Sequence, residues 1–127
     1  MAAGPRISLK RAYEPAEPGD GARILVERLW PRGVTKQAAA LDLWAKAVAP
    51  SPELRRWYAH DATRWEEFRA RYEAELTANA AGLEPLLELV RRGPVTFVYA
   101  SREERRNSAR VLREHVERLL DVRASRA

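Results

Sequence analysis

The segment that most constrains the fold is "VTFVYA", residues Val95 to Ala100, which is apolar on both of its faces. It follows Gly93-Pro94, and proline cannot continue a helix, so a new element begins here. A strand that is apolar on both faces is typical of a parallel sheet that is covered on both sides. The sequence therefore predicts a central strand at this position, and "RILVERL" (residues 23–29) predicts a second buried strand.

Helical patterns fill most of the remaining chain. Four helix starts are predicted from caps and breakers: Ser51 before Pro52, the capping box Thr63-x-x-Glu66, the separator Gly82, and the capping box Ser101-x-x-Glu104. Thr35 caps a further short helix, "RISLKRA" (residues 6–12) is a weak strand, and Asp42 to Ala49 fits a strand or a helix. This order predicts one α/β domain over residues 1–127, with a small, mostly parallel sheet flanked by helices.

Composition limits the class of protein. The 127 residues contain no cysteine, which excludes disulfides and thiolate chemistry, and no apolar run reaches the roughly 20 residues that span a bilayer. The first residues have no apolar core of the kind that a signal peptide needs. We therefore expect a cytoplasmic protein with no membrane contact. The net charge of +5 comes from both ends: residues 1–50 carry +3, residues 51–100 carry −1 and residues 101–127 carry +3.

Charged and aromatic residues follow the two buried strands. In parallel sheets ligands bind beyond the carboxyl ends of the strands, and those ends meet if the two strands are neighbours. The segment after the first strand supplies Arg28, Trp30, Arg32 and Lys36, and the second strand runs into Ser101 at the predicted start of a helix. Helix N-termini favour anions, so the pattern indicates a site for a planar or phosphorylated anion. In the alternative interpretation the arginines pair with nearby carboxylates and Trp30 fills the core.

Candidates for catalysis are few. His60 is the only plausible acid–base group, because His115 lies beside an apolar helix stripe and is interpreted as structural. Two distant histidines without cysteine do not form a transition-metal site, so no metal is predicted, and no cofactor is indicated. The segment "PGDGAR" lacks the spacing of phosphate-binding and dinucleotide-binding loops.

Two other classes of function remain open. Tryptophans interleaved with arginines can stack unpaired bases, so an RNA or single-stranded DNA binding module is one alternative. Trp57 and Trp65 fit apolar helix faces, which leaves Trp30 and Trp44 as the exposed candidates. The same two rings could instead anchor a protein partner, which would make the chain a protein-interaction subunit.

Several segments together resemble the domain-of-unknown-function 488 family, in its short YeaO-like branch. The family pattern is present as "RLWPRG" (28–33), Lys36, "LDLWAK" (41–46) and "APSPELR" (49–55), and it continues through Trp65 to "VTFVYAS". The resemblance implies a compact cytoplasmic α/β domain for which the family has no established activity.

One position departs from the family pattern. Relatives usually read Asn-His-Ala after the buried strand, whereas this chain reads Asn107-Ser108-Ala109. Asn107 is retained and is expected to hydrogen-bond the ligand together with Ser101. If the missing histidine acts as a base in relatives, this chain lacks that base or uses His60. We expect Arg32→Ala to abolish ligand binding while leaving the fold stable.

Overall fold

The computed structural model describes the backbone of residues 6–126 and the side chains of residues 6–121. Its centre is a sheet of four strands: β1 (Ile7–Arg11), β2 (Ala22–Leu25), β3 (Leu43–Trp44) and β4 (Val95–Tyr99). Their order in the sheet is β1-β4-β2-β3, and every neighbouring pair is parallel. The predicted α/β fold with a small parallel sheet is confirmed. Within the described part of the chain, no helix has the length and apolar character that crossing a membrane requires.

Strand β4 occupies an interior position because all five of its residues are buried. It pairs with β1 on one side and with β2 on the other, where Ile24 lies opposite Phe97 and Leu25 opposite Val98. The condition on which the predicted site depends, that the two buried strands are parallel neighbours, is therefore met. Their carboxyl ends lie side by side, as the predicted site requires.

Five helices accompany the sheet. They are α1 (Lys36–Ala39), α2 (Pro52–Tyr58), α3 (Trp65–Thr77), α4 (Ala80–Arg92) and α5 (Ser108–Arg126), with 3₁₀ segments at Pro18–Asp20, Lys46–Val48 and Ala62–Arg64. Residues of α2 to α5 pack with Ile24, Val26, Phe97 and Tyr99 in the larger apolar cluster, which covers one face of the sheet. Burial of this apolar area is the main stabilising contribution to the fold.

The opposite face carries a smaller apolar cluster and a buried ion network in which Asp20 pairs with Lys10 and Arg23. Leu25 and Val98 pack with Trp30 and Val34 from the segment that joins β2 to β3 and with Trp44 of β3. The ambiguous stretch from residue 42 to 49 contains both predicted types of structure, since the short strand β3 is followed by the 3₁₀ segment Lys46–Val48.

Two predicted helix starts are displaced. Gly82 does not separate helices: α4 begins at Ala80, and the Asn79 side chain accepts a hydrogen bond from the Gly82 N–H at 3.2 Å. A Cβ at Gly82 would lie 2.5 Å from Asn79 Nδ2, so glycine leaves room for this cap. Thr63 does not cap α3 either, because Asp61 caps a 3₁₀ turn there and Thr63 donates its hydroxyl to Asp61 at 2.6 Å.

The cap of the last helix lies six residues later than the sequence predicts, at Asn107 instead of Ser101. Ser101 and Glu104 do not form a capping box, and residues 101–107 are a loop. The Glu103 carboxylate accepts the backbone N–H groups of Arg105 at 3.0 Å and Arg106 at 3.4 Å, which turns the chain locally. Asn107 provides the cap, accepting the Arg110 N–H at 3.0 Å. The prediction of a helix N-terminus at Ser101 is therefore wrong.

Candidate functional site

A cavity of about 440 Å³ opens where β2 and β4 end, between the aromatic side of α2 and α3 and the loop 100–107. We call it the main cavity. Its lining residues are Glu27, Arg55, Tyr58, His60, Ala62, Trp65, Phe68, Tyr99, Ala100, Ser101, Glu103, Arg106, Asn107 and Ser108. The site thus lies at the sheet edge that the sequence indicated, since ligands of parallel sheets bind beyond the strand ends.

Glu27 is the buried acidic group of the main cavity, with 6% of its surface exposed. Two residues beyond β2, it accepts the Ala100 backbone N–H through Oε2 at 2.8 Å, which ties the end of β2 to the end of β4. Its other oxygen, Oε1, lies 3.5 Å from Arg55 Nη1. The carboxylate is therefore fixed by the backbone and faces a cation.

Three basic side chains lie toward solvent at the cavity opening: Arg55, Arg106 and His60, all exposed. Ala59 and His60 have φ values of 48° and 58°, a left-handed conformation that is uncommon for residues other than glycine. This turn follows α2 directly and places His60 at the cavity. Glu103 is also present, and hydrogen bonds from the backbone of Arg105 and Arg106 lower its pKa.

The wall of the main cavity is aromatic. The ring centroids of Tyr58 and Phe68 are 4.5 Å apart, and those of Trp65 and Phe68 are 5.5 Å apart. Burial raises the pKa of Tyr58, and the nearby Arg106 guanidinium opposes that rise. Burial likewise raises the pKa of Tyr99. Both phenols are therefore neutral hydrogen-bonding groups near neutral pH.

The structure separates the residues that the sequence predicted to form one site. His60, Ser101 and Asn107 line the main cavity, and so does Ser108, the position that departs from the family pattern. The Ser101 hydroxyl accepts the Glu103 N–H at 3.1 Å, and Arg11 Nε donates to the Ser101 carbonyl at 3.0 Å, which holds the loop against β1.

Arg28 lies elsewhere. It lines a smaller cavity of about 170 Å³ together with Ser51, Tyr72 and Glu75. Its Nη2 donates to the carbonyl groups of Ala49 and Pro50 at 3.3 and 3.4 Å, so its charge stabilises the turn before α2. The expectation that Arg28 faces the same cavity as Ser101 is wrong, because the chain bends directly after β2.

Trp30, Arg32 and Lys36 are also outside the main cavity lining. Trp30 is half-buried, donates its indole N–H to the Val34 carbonyl at 2.6 Å, and packs edge-on against Trp44 with centroids 5.3 Å apart. The two rings are therefore not the exposed pair that the sequence suggested. Arg32 and Lys36 are exposed side chains.

Four charged side chains of the main cavity were not predicted as site residues: Glu27, Arg55, Glu103 and Arg106. Glu27 had a detectable signal, since a carboxylate inside the apolar run "ILVER" at a strand end is costly to bury unless it is paired. Arg55 and Arg106 had none, because their approach to Glu27 and Tyr58 depends on how α2 and the loop 100–107 pack.

The fold and the cavity define a small α/β protein with a ligand-sized site at the carboxyl edge of a parallel sheet. The chain matches the family described as the inactive DUF488-N3 subclade over residues 6–127 and belongs to that DUF488, YeaO-like family.

The relatives are similar over most of their length. The chain is 46% identical over 107 residues to uncharacterised proteins of Mycobacterium tuberculosis and Mycobacterium bovis, covering 84% of this chain and 90% of each relative. It is 42% identical over 106 residues to the uncharacterised protein YeaO of Escherichia coli, covering 84% of this chain and 92% of the relative. No solved structure gives a significant match.

Proposed function

We propose that this protein binds a small anionic ligand with a planar part in the main cavity. The observation that carries the proposal is that two guanidinium groups, Arg55 and Arg106, line the same cavity as the ring wall of Tyr58, Trp65 and Phe68. Guanidinium groups bind carboxylate and phosphate oxygens in a bidentate manner, and aromatic faces accept planar groups. A volume of about 440 Å³ also lies within the range of small-molecule sites.

The ligand is proposed to bind without being converted. The family is described as inactive, and Ser108 lines the cavity at the position where the family pattern given above has histidine. His60 is then a hydrogen-bonding group for the ligand, and its predicted role as an acid–base catalyst stays a prediction. We also propose a cytoplasmic location, which the absence of cysteine from the sequence supports.

A protein-interaction role is the second candidate. Leu29 has 79% of its surface exposed and Tyr13 has 49%, which is unusual exposure for large apolar side chains. Leu29 directly precedes Trp30, so a partner that covers it would also reach the smaller apolar cluster. Size-exclusion chromatography with light scattering, comparing wild type with Leu29→Ser, tests whether that partner is a second copy.

Thermal unfolding tests the binding proposal. Wild type is scanned with phenyl phosphate, ribose 5-phosphate, nucleoside monophosphates, inorganic phosphate and a short oligonucleotide. A ligand at about 100 times its dissociation constant adds about 2.7 kcal/mol to the free energy of unfolding, so binding is readable as a shift in Tm. We expect Arg106→Ala to weaken binding about tenfold or more, because a charge-assisted hydrogen bond is lost.

Arg105→Ala is the matched control, since Arg105 is exposed in the same loop and does not line the cavity. It removes the same charge and should leave the dissociation constant within about twofold of wild type, because Arg105 does not line the cavity and so loses no direct hydrogen bond to the ligand. Arg32→Ala is now expected to behave in the same way, contrary to the expectation from sequence. Equal weakening by Arg105→Ala and Arg106→Ala, or stabilisation by the oligonucleotide alone, would contradict the proposal.

A further inference from the structure

The Glu27 carboxylate has hydrogen-bonding capacity that the protein does not use. Oε2 accepts the Ala100 N–H at 2.8 Å, while Oε1 has its contact to Arg55 Nη1 at 3.5 Å, longer than an ordinary hydrogen bond. An ionised carboxylate offers about four lone-pair sites, so Glu27, which lines the cavity, can accept further hydrogen bonds from a ligand. A buried acceptor of this kind favours a ligand that brings a donor to it, because an unsatisfied buried charge is costly.

The position of Glu27 restricts the kind of donor. It lies just beyond the carboxyl end of a parallel strand, and from such a position an acidic side chain accepts hydrogen bonds from ribose hydroxyl groups in nucleotide-binding sheets. Two neighbouring hydroxyl groups can both donate hydrogen bonds to one carboxylate, and this fixes the ligand in a single orientation. This chain has no glycine-rich phosphate loop, so its phosphate contacts must come from side chains.

The charges of the main cavity have an order that matches such a ligand. The acidic Glu27 is 6% exposed, whereas the guanidinium groups of Arg55 and Arg106 are exposed at the opening and outnumber the one exposed carboxylate there, that of Glu103. A ligand with donors at its inner part and an anion at its outer part therefore complements both groups. Tyr58 and Trp65, whose ring centroids are 6.0 Å apart and whose planes are inclined at 56°, supply an aromatic wall against which a base can pack.

We infer that the ligand is a ribonucleoside 5′-monophosphate whose ribose hydroxyls bind Glu27, whose base packs on the Tyr58–Trp65 wall and whose phosphate binds Arg106. The inference rests on the proposed function and deepens it by naming the ligand class and Glu27 as the specificity-determining residue. A simple phosphate fits less well, since it brings no ribose hydroxyls to Glu27 and leaves much of the 440 Å³ unfilled.

Isothermal titration calorimetry tests the inference with the wild-type chain. The four common ribonucleoside 5′-monophosphates are titrated, followed by the 2′,3′-dideoxy analogue of whichever binds best, and by phenyl phosphate. We expect the dideoxy analogue to bind about tenfold or more weakly, because it lacks the hydroxyls that hydrogen-bond a charged group. Phenyl phosphate, which keeps a ring and a phosphate, is expected to bind weakly but measurably.

Glu27→Gln assigns the discrimination to Glu27, since the amide keeps the shape and an acceptor for the Ala100 N–H but loses the charge. The preference for the ribonucleotide should fall to about twofold or less in this variant. Glu104→Gln is the control, since Glu104 is an exposed carboxylate between β4 and α5 that does not line the cavity. This variant should keep the full preference for the ribonucleotide.

The outcomes separate the two proposals. Equal binding of the ribonucleotide and its dideoxy analogue, binding of phenyl phosphate without any monophosphate, or an unchanged preference in Glu27→Gln overturns the inference and leaves the proposed function standing. Absence of binding by every probe overturns both. Should Glu27→Gln fail to fold, the wild-type ratio of the two dissociation constants decides alone.

Discussion

Replacing Asp20 with asparagine is expected to lower the free energy of unfolding by about 3–5 kcal/mol, because the change breaks a buried ion network. Asp20 Oδ2 accepts a hydrogen bond from Arg23 Nη1 at 2.6 Å, and Oδ1 accepts one from Lys10 Nζ at 2.9 Å. Arg23 is 3% exposed, so in the variant its charge stays buried without a carboxylate. Urea unfolding monitored by circular dichroism measures the loss.

Glu17→Gln is the matched control. Glu17 also pairs with Lys10, at 2.6 Å, but 68% of its side chain is exposed. An exposed ion pair contributes about 0–1 kcal/mol, so this variant should unfold close to wild type. A similar loss in both variants would show that burial of the network does not decide its contribution.

The pH dependence of the Asp20 contribution has a defined sign. Burial acts to raise the pKa of Asp20, but hydrogen bonds from Lys10, the Glu17 backbone and Arg23 outweigh it, so the pKa lies below its ordinary value. The contribution is therefore present above the pKa of the unfolded chain, near 3.8, and is lost as the pH falls through the lower folded value. The stability difference between wild type and Asp20→Asn should shrink on acidification below about pH 4.

Gly21→Ala is expected to lower the free energy of unfolding by about 2–5 kcal/mol, for two reasons that act together. Gly21 has φ 66° and ψ −147°, a region that side chains rarely adopt. A Cβ there would lie 2.1 Å from the Pro94 carbonyl oxygen, which accepts the Ala22 N–H at 3.1 Å where β2 begins beside β4. Alanine must displace that strand pairing, and thermal unfolding measures the effect.

Gly19→Ala provides the comparison two residues away. A Cβ at Gly19 meets nothing within 4 Å, so the substitution costs no contact and reduces the freedom of the unfolded chain. We expect its Tm to equal or slightly exceed that of wild type. A Gly21→Ala variant as stable as Gly19→Ala would mean that the β2 start is not held as described.

Much of the fold could be predicted from short-range patterns. The apolar run at Val95–Tyr99 identifies an interior strand because residues that are apolar on both faces are typical of a covered parallel sheet. The aliphatic residues 24–26 identify the second strand, in which Arg23 is buried in an ion pair. Ser51 and Thr35 were correctly identified as caps, accepting the Leu54 and Ala38 N–H groups at 3.2 and 3.0 Å. Each of these patterns depends on residues that are close in sequence, so it can be recognised without knowledge of the tertiary packing.

The incorrect predictions have one cause: the local sequence pattern is compatible with two structures. Ser101-x-x-Glu104 reads as a capping box, yet Glu103 binds the backbone of the following residues and Asn107 caps α5 instead. Arg28 reads as a site residue, yet its guanidinium reaches the carbonyls of Ala49 and Pro50, 21 and 22 residues away. Tertiary packing chooses between such alternatives, and no spacing rule within the segment contains that information.

The most direct test of ligand binding in the main cavity is an NMR titration of the ¹⁵N-labelled chain with phenyl phosphate and, separately, with a ribonucleoside monophosphate. Of the four tryptophan indoles, Trp65 lines the main cavity, whereas Trp30 and Trp44 pack in the smaller apolar cluster. The Trp30 and Trp44 indoles donate to the carbonyls of Val34 and Glu27. We expect saturable chemical-shift changes of the Trp65 indole N–H and of backbone amides in residues 100–108, and no change of the Trp30 indole resonance. Shifts centred on Trp30, Arg32 and Lys36, or no shift with either probe, would contradict this expectation.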